Sequence, residues 1–122
     1  MRVVDSVGWI EYFVDGPLAE RYARYIENPD ELATPSIVIC EVFKKVLRDS
    51  GERPAVEAIA NMQKTTVVPL TSELAVNAAE IGIAHKLPMA DAIVYATAQS
   101  VNATVVTSDQ HFKGLPEVEF VG

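Results

Sequence analysis

With 122 residues, the chain has the length of one domain on the usual scale of about 100 to 200 residues each. Apolar residues make up 49% and charged residues 22%, which excludes a disordered or fibrous chain and implies a folded core. Seventeen acids against ten bases give a net charge of −7, which argues against the broad basic surface that most nucleic-acid binders use.

Met1-Arg2-Val3-Val4-Asp5 reaches a carboxylate too early for the apolar core of a signal peptide. No window approaches the roughly 18 uninterrupted apolar residues of a membrane span, so a cytoplasmic chain is expected. Arg2 to Asp5 reads as a strand, and Ser6 is placed to cap a helix over Val7 to Val14. Gly16-Pro17 breaks that pattern. Leu18, Tyr22, Tyr25 and Ile26 then recur at helical spacing up to the stop at Asn28-Pro29-Asp30.

Leu32 to Thr34 is a short strand, followed by a long helix started by Pro35 and Ser36 and ended near Ser50 by Gly51. That helix carries Cys40, the only cysteine, so disulfides and thiolate clusters are excluded and a reducing compartment fits. Pro54 restarts a helix that reaches Lys64, and Thr66 to Leu70 is β-branched and strand-like. Thr71 caps a helix to Lys86 that contains Gly82, and Pro88 opens another to Val101. Ala103 to Thr107 is the clearest strand, Gly114-Leu115-Pro116 a turn, and Val118 to Val121 a last strand. Strands separated by such long helical stretches need crossover connections, which gives an α/β sandwich with a mostly parallel sheet in a single domain over residues 1–122.

The informative acids are those that interrupt apolar segments, where burial penalises charge. Asp5 ends one inferred strand and Asp109 follows another, at the edge where open α/β sheets bind ligands. Asp91 lies in Pro88-Met89-Ala90-Asp91-Ala92-Ile93-Val94, and Glu41 in Ile37-Val38-Ile39-Cys40-Glu41-Val42-Phe43. Glu11 and Glu80 pass the same filter but read as solvent-facing residues of amphipathic helices. Singly, Asp5 is equally well a helix cap and Asp91 a first-turn acid favoured by the helix dipole. Together the four imply a cation, because carboxylates within about 4 Å of each other repel by several kcal/mol at an effective dielectric of about 20.

Over essentially its whole length the chain resembles a PIN domain, and most closely the short VapC-type toxins of toxin–antitoxin pairs. The resemblance is carried by Val3-Val4-Asp5-Ser6, Cys40-Glu41-Val42, Leu87-Pro88-Met89-Ala90-Asp91-Ala92 and Val106-Thr107-Ser108-Asp109 with Phe112, in the family's order and spacing. Val7 replaces the second small hydroxyl residue usual in the family, while Ser6 keeps the adjacent one. The resemblance implies a three-layer α/β/α sandwich with four to five short strands. It also implies that Asp5, Glu41, Asp91 and Asp109 converge at one sheet edge as metal ligands and catalytic residues. An all-carboxylate site suits Mg²⁺ or Mn²⁺, and the chemistry implied is hydrolysis of RNA phosphodiester bonds by activated water.

Other residues are placed around that centre. Lys44, Lys45 and Arg48 stand three, four and seven residues after Glu41, near one helical face, as candidates to receive phosphates. Glu41 to Lys45 is equally an ordinary i, i+4 pair. Thr107 and Ser108 are candidates to hydrogen-bond around the metal, or simply end a strand. A metal-free mechanism on His85 and His111 finds nothing to bring the two together, and both read as structural or surface residues. Trp9, Tyr12, Phe13, Tyr22 and Tyr25 read as core or as a dimer surface.

The leading expectation is a toxin: a metal-dependent endoribonuclease acting on RNA, silenced by a small antitoxin and forming a homodimer. The alternatives are a housekeeping RNA-processing nuclease of the same fold and a non-catalytic PIN-like binding module. Setting the four site acids aside leaves thirteen acids against ten bases, a net of −3. The excess negative charge thus belongs partly to one pocket.

Overall fold

The structure, a computed structural model, describes residues 1–122. β-branched residues in the middle of the sheet set its centre. In β1 (Arg2–Val4) and β4 (Thr104–Thr107), Val3, Val4, Val105 and Val106 are all buried. The two strands run parallel, with Val4 opposite Val106, and β5 (Val118–Phe120) adds parallel to the far side of β4. β2 (Ala33–Pro35) pairs in parallel with β3 (Thr66–Val68), and a parallel bridge between Arg2 and Leu32 joins this pair to β1. The order across the sheet is β3-β2-β1-β4-β5, with the first strand in the middle.

Parallel neighbours need crossovers, and three of them carry two helices each. These are α1 (Ser6–Phe13) with α2 (Ala19–Ile26), α3 (Ser36–Ser50) with α4 (Glu52–Met62), and α5 (Ser72–His85) with α6 (Met89–Ser100). Each helix packs on the other member of its own crossover, α1 and α6 also touch α3, and the result is a three-layer α/β/α sandwich. Trp9 and Tyr22 lie in its core, while Tyr12, Phe13 and Tyr25 pack partly buried against it. No helix is long and apolar enough to cross a membrane.

Several boundaries differ from the expected ones for local reasons. Asp5, not Ser6, caps α1, because the chain leaves the extended conformation one residue earlier. α4 starts at Glu52 ahead of Pro54, since a proline in the first turn gives up no N–H that the helix needs. β3 stops at Val68 because Pro69 has no N–H to donate to a ladder. Two short 3₁₀ turns, Pro29–Glu31 and Gln110–Phe112, were not legible as elements. Gly82 does not break α5: a Cβ there would lie 3.4 Å from the Cβ of Ala92, so the glycine lets α5 and α6 approach closely.

Gly8 has a sharper role. A Cβ at this position would collide with the ring of Tyr22 and lie 2.7 Å from Cγ1 of Val4. Its absence seats the tyrosine ring against α1 and directs the hydroxyl to Ser108, whose Oγ accepts a hydrogen bond at 2.7 Å.

Candidate metal centre

The register that sets Val4 against Val106 places the next residues, Asp5 and Thr107, together at the carboxyl end of the two central strands. The Asp5 amide continues the ladder by donating to the Val106 carbonyl at 3.0 Å. Its side chain, only 2% exposed, turns inward. Oδ1 accepts from the Ser6 amide at 2.8 Å, and Oδ2 accepts from the Thr107 hydroxyl at 3.0 Å. Helix cap and site candidate, alternatives in the sequence, are therefore one residue serving both ends.

Asp109 is tied to the same hydroxyl, since its amide donates to Thr107 Oγ1 at 3.0 Å. Its own Oδ1 caps the second 3₁₀ turn by accepting from the His111 amide at 2.9 Å. That turn brings the His111 ring back, with Nδ1 2.9 Å from Asp91 Oδ2 and 3.1 Å from Asp109 Oδ1. Asp91 stands in the first turn of α6 and Glu41 in α3, both half-buried.

The four carboxyl groups feel one another. Burial pushes Asp5 up to about 7, opposed by its hydrogen bonds from Ser6 and Thr107 and reinforced by the charges of Asp91 and Glu41. Burial also raises Glu41; the Ser6 side chain opposes the shift, and Asp91 and Asp109 add to it. Asp91 is raised first by burial and then by Asp109, with His111 pulling the other way. The acids that the sequence singled out thus lie within electrostatic reach of each other, and no lysine or arginine forms an ion pair with any of them.

His111 is the residue that sequence reasoning passed over. The one available signal was its position two residues after Asp109, the spacing at which an aspartate caps a turn; its contact with Asp91, twenty positions away, had none. His85 is elsewhere engaged, edge-on to the Tyr95 ring at 5.8 Å between centroids. Glu11 also departs from expectation: it is half-buried and its Oε1 accepts the Leu18 amide at 2.8 Å, closing the turn between α1 and α2. Glu80 is exposed.

The basic stripe on α3 is partly neutralised. Asp49 binds Lys45 at 2.9 Å and Arg48 at 3.0 Å, so the Glu41–Lys45 pair is not formed, while Lys44 is exposed with no ion pair. Thr107 and Ser108 are both at the centre, Thr107 bonded to Asp5 and Ser108 to Tyr22.

Oxygen donors on acids raised by burial and mutual charge, without a lysine or arginine among them, fit a hard divalent cation such as Mg²⁺ or Mn²⁺. A carboxylate oxygen of Asp91, one of Asp109 and a ring nitrogen of His111 lie within 4.8 Å of one another.

No curated protein matches the sequence. Among solved structures, a toxin–antitoxin complex from Klebsiella pneumoniae superposes with a TM-score of 0.83 at 20% identity, covering 98% of this chain and 96% of that one. VapC20 of Mycobacterium tuberculosis, described as a sarcin–ricin loop cleaving toxin, gives 0.82 at 21% identity over 100% of both chains. DNA-bound VapBC from Salmonella typhimurium gives 0.76 at 19% identity, covering 99% and 98%. These likenesses establish the fold, and the PIN domain family model matches residues 2–118. With nearly its entire length matched, the chain belongs to the PIN domain family.

Proposed function

We propose that this PIN domain is a divalent-metal-dependent endoribonuclease and the toxin of a toxin–antitoxin pair. The observation that carries the nuclease reading is the electrostatic coupling of Asp5, Glu41, Asp91 and Asp109 in a place with no lysine or arginine partner. Like charges held together at a cost to the metal-free protein are stabilised by a cation and by little else. The toxin reading is supported by the neighbours in fold, a toxin–antitoxin complex and an RNA-loop cleaving toxin among them.

In this reading Asp5, Glu41, Asp91 and Asp109 hold Mg²⁺ or Mn²⁺. The ion, when bound, supplies acidification of water and positive charge against the scissile phosphate. Asp5 is kept from rotating by its two accepted hydrogen bonds, so one acid is preorganised on the rigid centre of the sheet. Glu41 enters from α3, Asp91 from α6 and Asp109 from the turn after β4, so with Asp5 the walls of the site come from four separate elements. In this reading the nucleophile is water, which the bound ion would acidify. Lys44, exposed and without an ion pair on the helix that bears Glu41, is the residue of the basic stripe best able to meet an RNA phosphate.

Purified protein free of partner is expected to cleave RNA with Mn²⁺ or Mg²⁺, to stop in chelator, and to lose cleavage in Asp5→Ala and Asp91→Ala. Undiminished cleavage in chelator overturns the assignment. A small antitoxin encoded beside this chain and co-purifying with it supports the toxin reading over a housekeeping nuclease.

A homodimer is part of the same proposal. Between α5 and α6 lies an apolar groove of about 600 Å³ lined by Leu70, Ala78, Gly82 and Leu87, with Ile83 and Met89 at its walls 83% and 80% exposed. One face that offers both protruding side chains and a receiving groove is what a twofold contact between identical chains requires.

A further inference from the structure

Three elements meet at His111. Its ring nitrogen Nδ1 lies 2.9 Å from Oδ2 of Asp91, at the start of α6, and 3.1 Å from Oδ1 of Asp109, which follows β4. Its own backbone amide donates to that same Asp109 oxygen at 2.9 Å. Both oxygens flanking Nδ1 belong to carboxylates, which only accept when ionised. The nitrogen between them therefore carries the hydrogen, and a nitrogen that carries hydrogen has no lone pair to give a metal. No hydrogen bond reaches the second oxygen of either acid. The ring nitrogen thus occupies one oxygen of Asp91, the backbone amide of the same residue occupies one oxygen of Asp109, and the other oxygen of each acid is left free.

The acids most in need of such a tie are these two. Asp5 is held by the Ser6 amide and the Thr107 hydroxyl in the sheet centre, whereas Asp91 has no hydrogen bond from protein other than that of His111. Asp109 and Asp91 repel one another, each on its own element, and the Nδ1–H between them is what offsets that repulsion.

We propose that His111 is a positioning residue: its ring Nδ1–H holds Asp91 while its backbone amide holds Asp109, so that the side chain ties Asp91 to the turn bearing Asp109 and sets the separation and orientation of the two acids that receive the cation. The inference rests on the metal-dependent reading above. It assigns the histidine no contact with substrate and no place among the metal ligands.

The test compares three substitutions in the full chain. Asparagine at this position carries a side-chain N–H close to where Nδ1 stands, glutamine carries one about a bond further out, and alanine carries none. Mn²⁺ binding is measured by calorimetry, RNA cleavage is resolved into kcat and KM, and thermal unfolding in chelator checks the fold. His111→Ala and His111→Gln are expected to weaken Mn²⁺ binding by about 10- to 100-fold, the usual scale for a residue that orients a ligand. Cleavage at saturating RNA and subsaturating Mn²⁺ should fall in step, with KM for RNA unchanged. His111→Asn should recover most of both losses.

If His111→Ala binds Mn²⁺ like the wild type, the cross-link has no role, and the metal-dependent reading stands without it. If asparagine fails as badly as alanine while unfolding is unchanged, the donor role is overturned and direct ligation takes its place. A rise in KM alone makes His111 an RNA contact and also overturns the proposal. Absence of Mn²⁺ binding by the wild type overturns both this inference and the reading on which it rests.

Discussion

Thr107 Oγ1 donates to Asp5 Oδ2 and accepts the amide of Asp109, both at 3.0 Å, so one buried hydroxyl ties the first of the four clustered acids to the last. Thr107→Val keeps the shape and deletes both bonds. The buried partners left unsatisfied are expected to cost about 1 to 3 kcal/mol, measured by urea unfolding in chelator. Thr107→Ser keeps the hydroxyl and should lose only about the 0.8 kcal/mol of a buried methyl. Equal losses in the two variants would show that packing, not the hydroxyl, is at work.

Asp5 makes metal-free stability depend on pH. Its folded pKa is raised to about 7 from an ordinary 3.8, so the folded protein keeps a proton that the unfolded chain releases. The contribution is therefore fully present below about pH 4 and is lost as pH rises through about 7, on the order of 4 kcal/mol in all. An asparagine side chain in place of the acid can still cap α1 and never ionises. Asp5→Asn is thus expected to stabilise the metal-free protein at pH 8, to do so much less at pH 5, and to abolish divalent-ion binding. Urea unfolding at the two pH values in chelator decides the matter, and an equal gain at both would refute the buried-charge account.

Gly8→Ala should destabilise, although alanine is ordinarily better than glycine in a helix by about 1 kcal/mol. The added methyl meets the Tyr22 ring and Val4 in the core. Overpacking of this kind costs about 1 to 3 kcal/mol, read as a lower urea midpoint. An unchanged or higher midpoint would mean that Tyr22 can shift freely and that its bond to Ser108 is dispensable.

Ile83→Lys and Met89→Lys each place a charge in the apolar face between α5 and α6 without touching the acids. Light scattering at micromolar concentration is expected to give a dimer for the wild type and a monomer for either variant, with monomer stability unchanged. A wild type that scatters as a monomer disposes of the proposed contact.

Local chemistry made most elements legible before any coordinates. Thr71 does cap α5, and Pro35-Ser36 opens α3 as its residue types require. Acids breaking apolar runs pointed to Asp5, Glu41, Asp91 and Asp109, and equally to Glu11 and Glu80, because burial of charge is costly wherever the chain folds; the resemblance to PIN domains separated the four. Contacts set by tertiary geometry were illegible. Nothing local tells that a turn after β4 returns His111 to Asp91, or that Asp49 rather than Glu41 takes Lys45. The distinction between Ser6 and Asp5 as cap depends on where a strand stops, which is decided by its partner β4.

The position of β1 in the sheet has a consequence in time. Residues 2–4 are the middle strand, yet one of their two neighbours is residues 104–106. A chain still being synthesised, with residue 100 not yet made, has an N-terminal strand whose partner does not exist and an Asp5 without the Thr107 hydroxyl that steadies it. Contacts of such long separation form late and slowly. The acidic centre accordingly comes together as one of the last events of folding, and a ribosome that has already made Asp5, Glu41 and Asp91 still carries no assembled site.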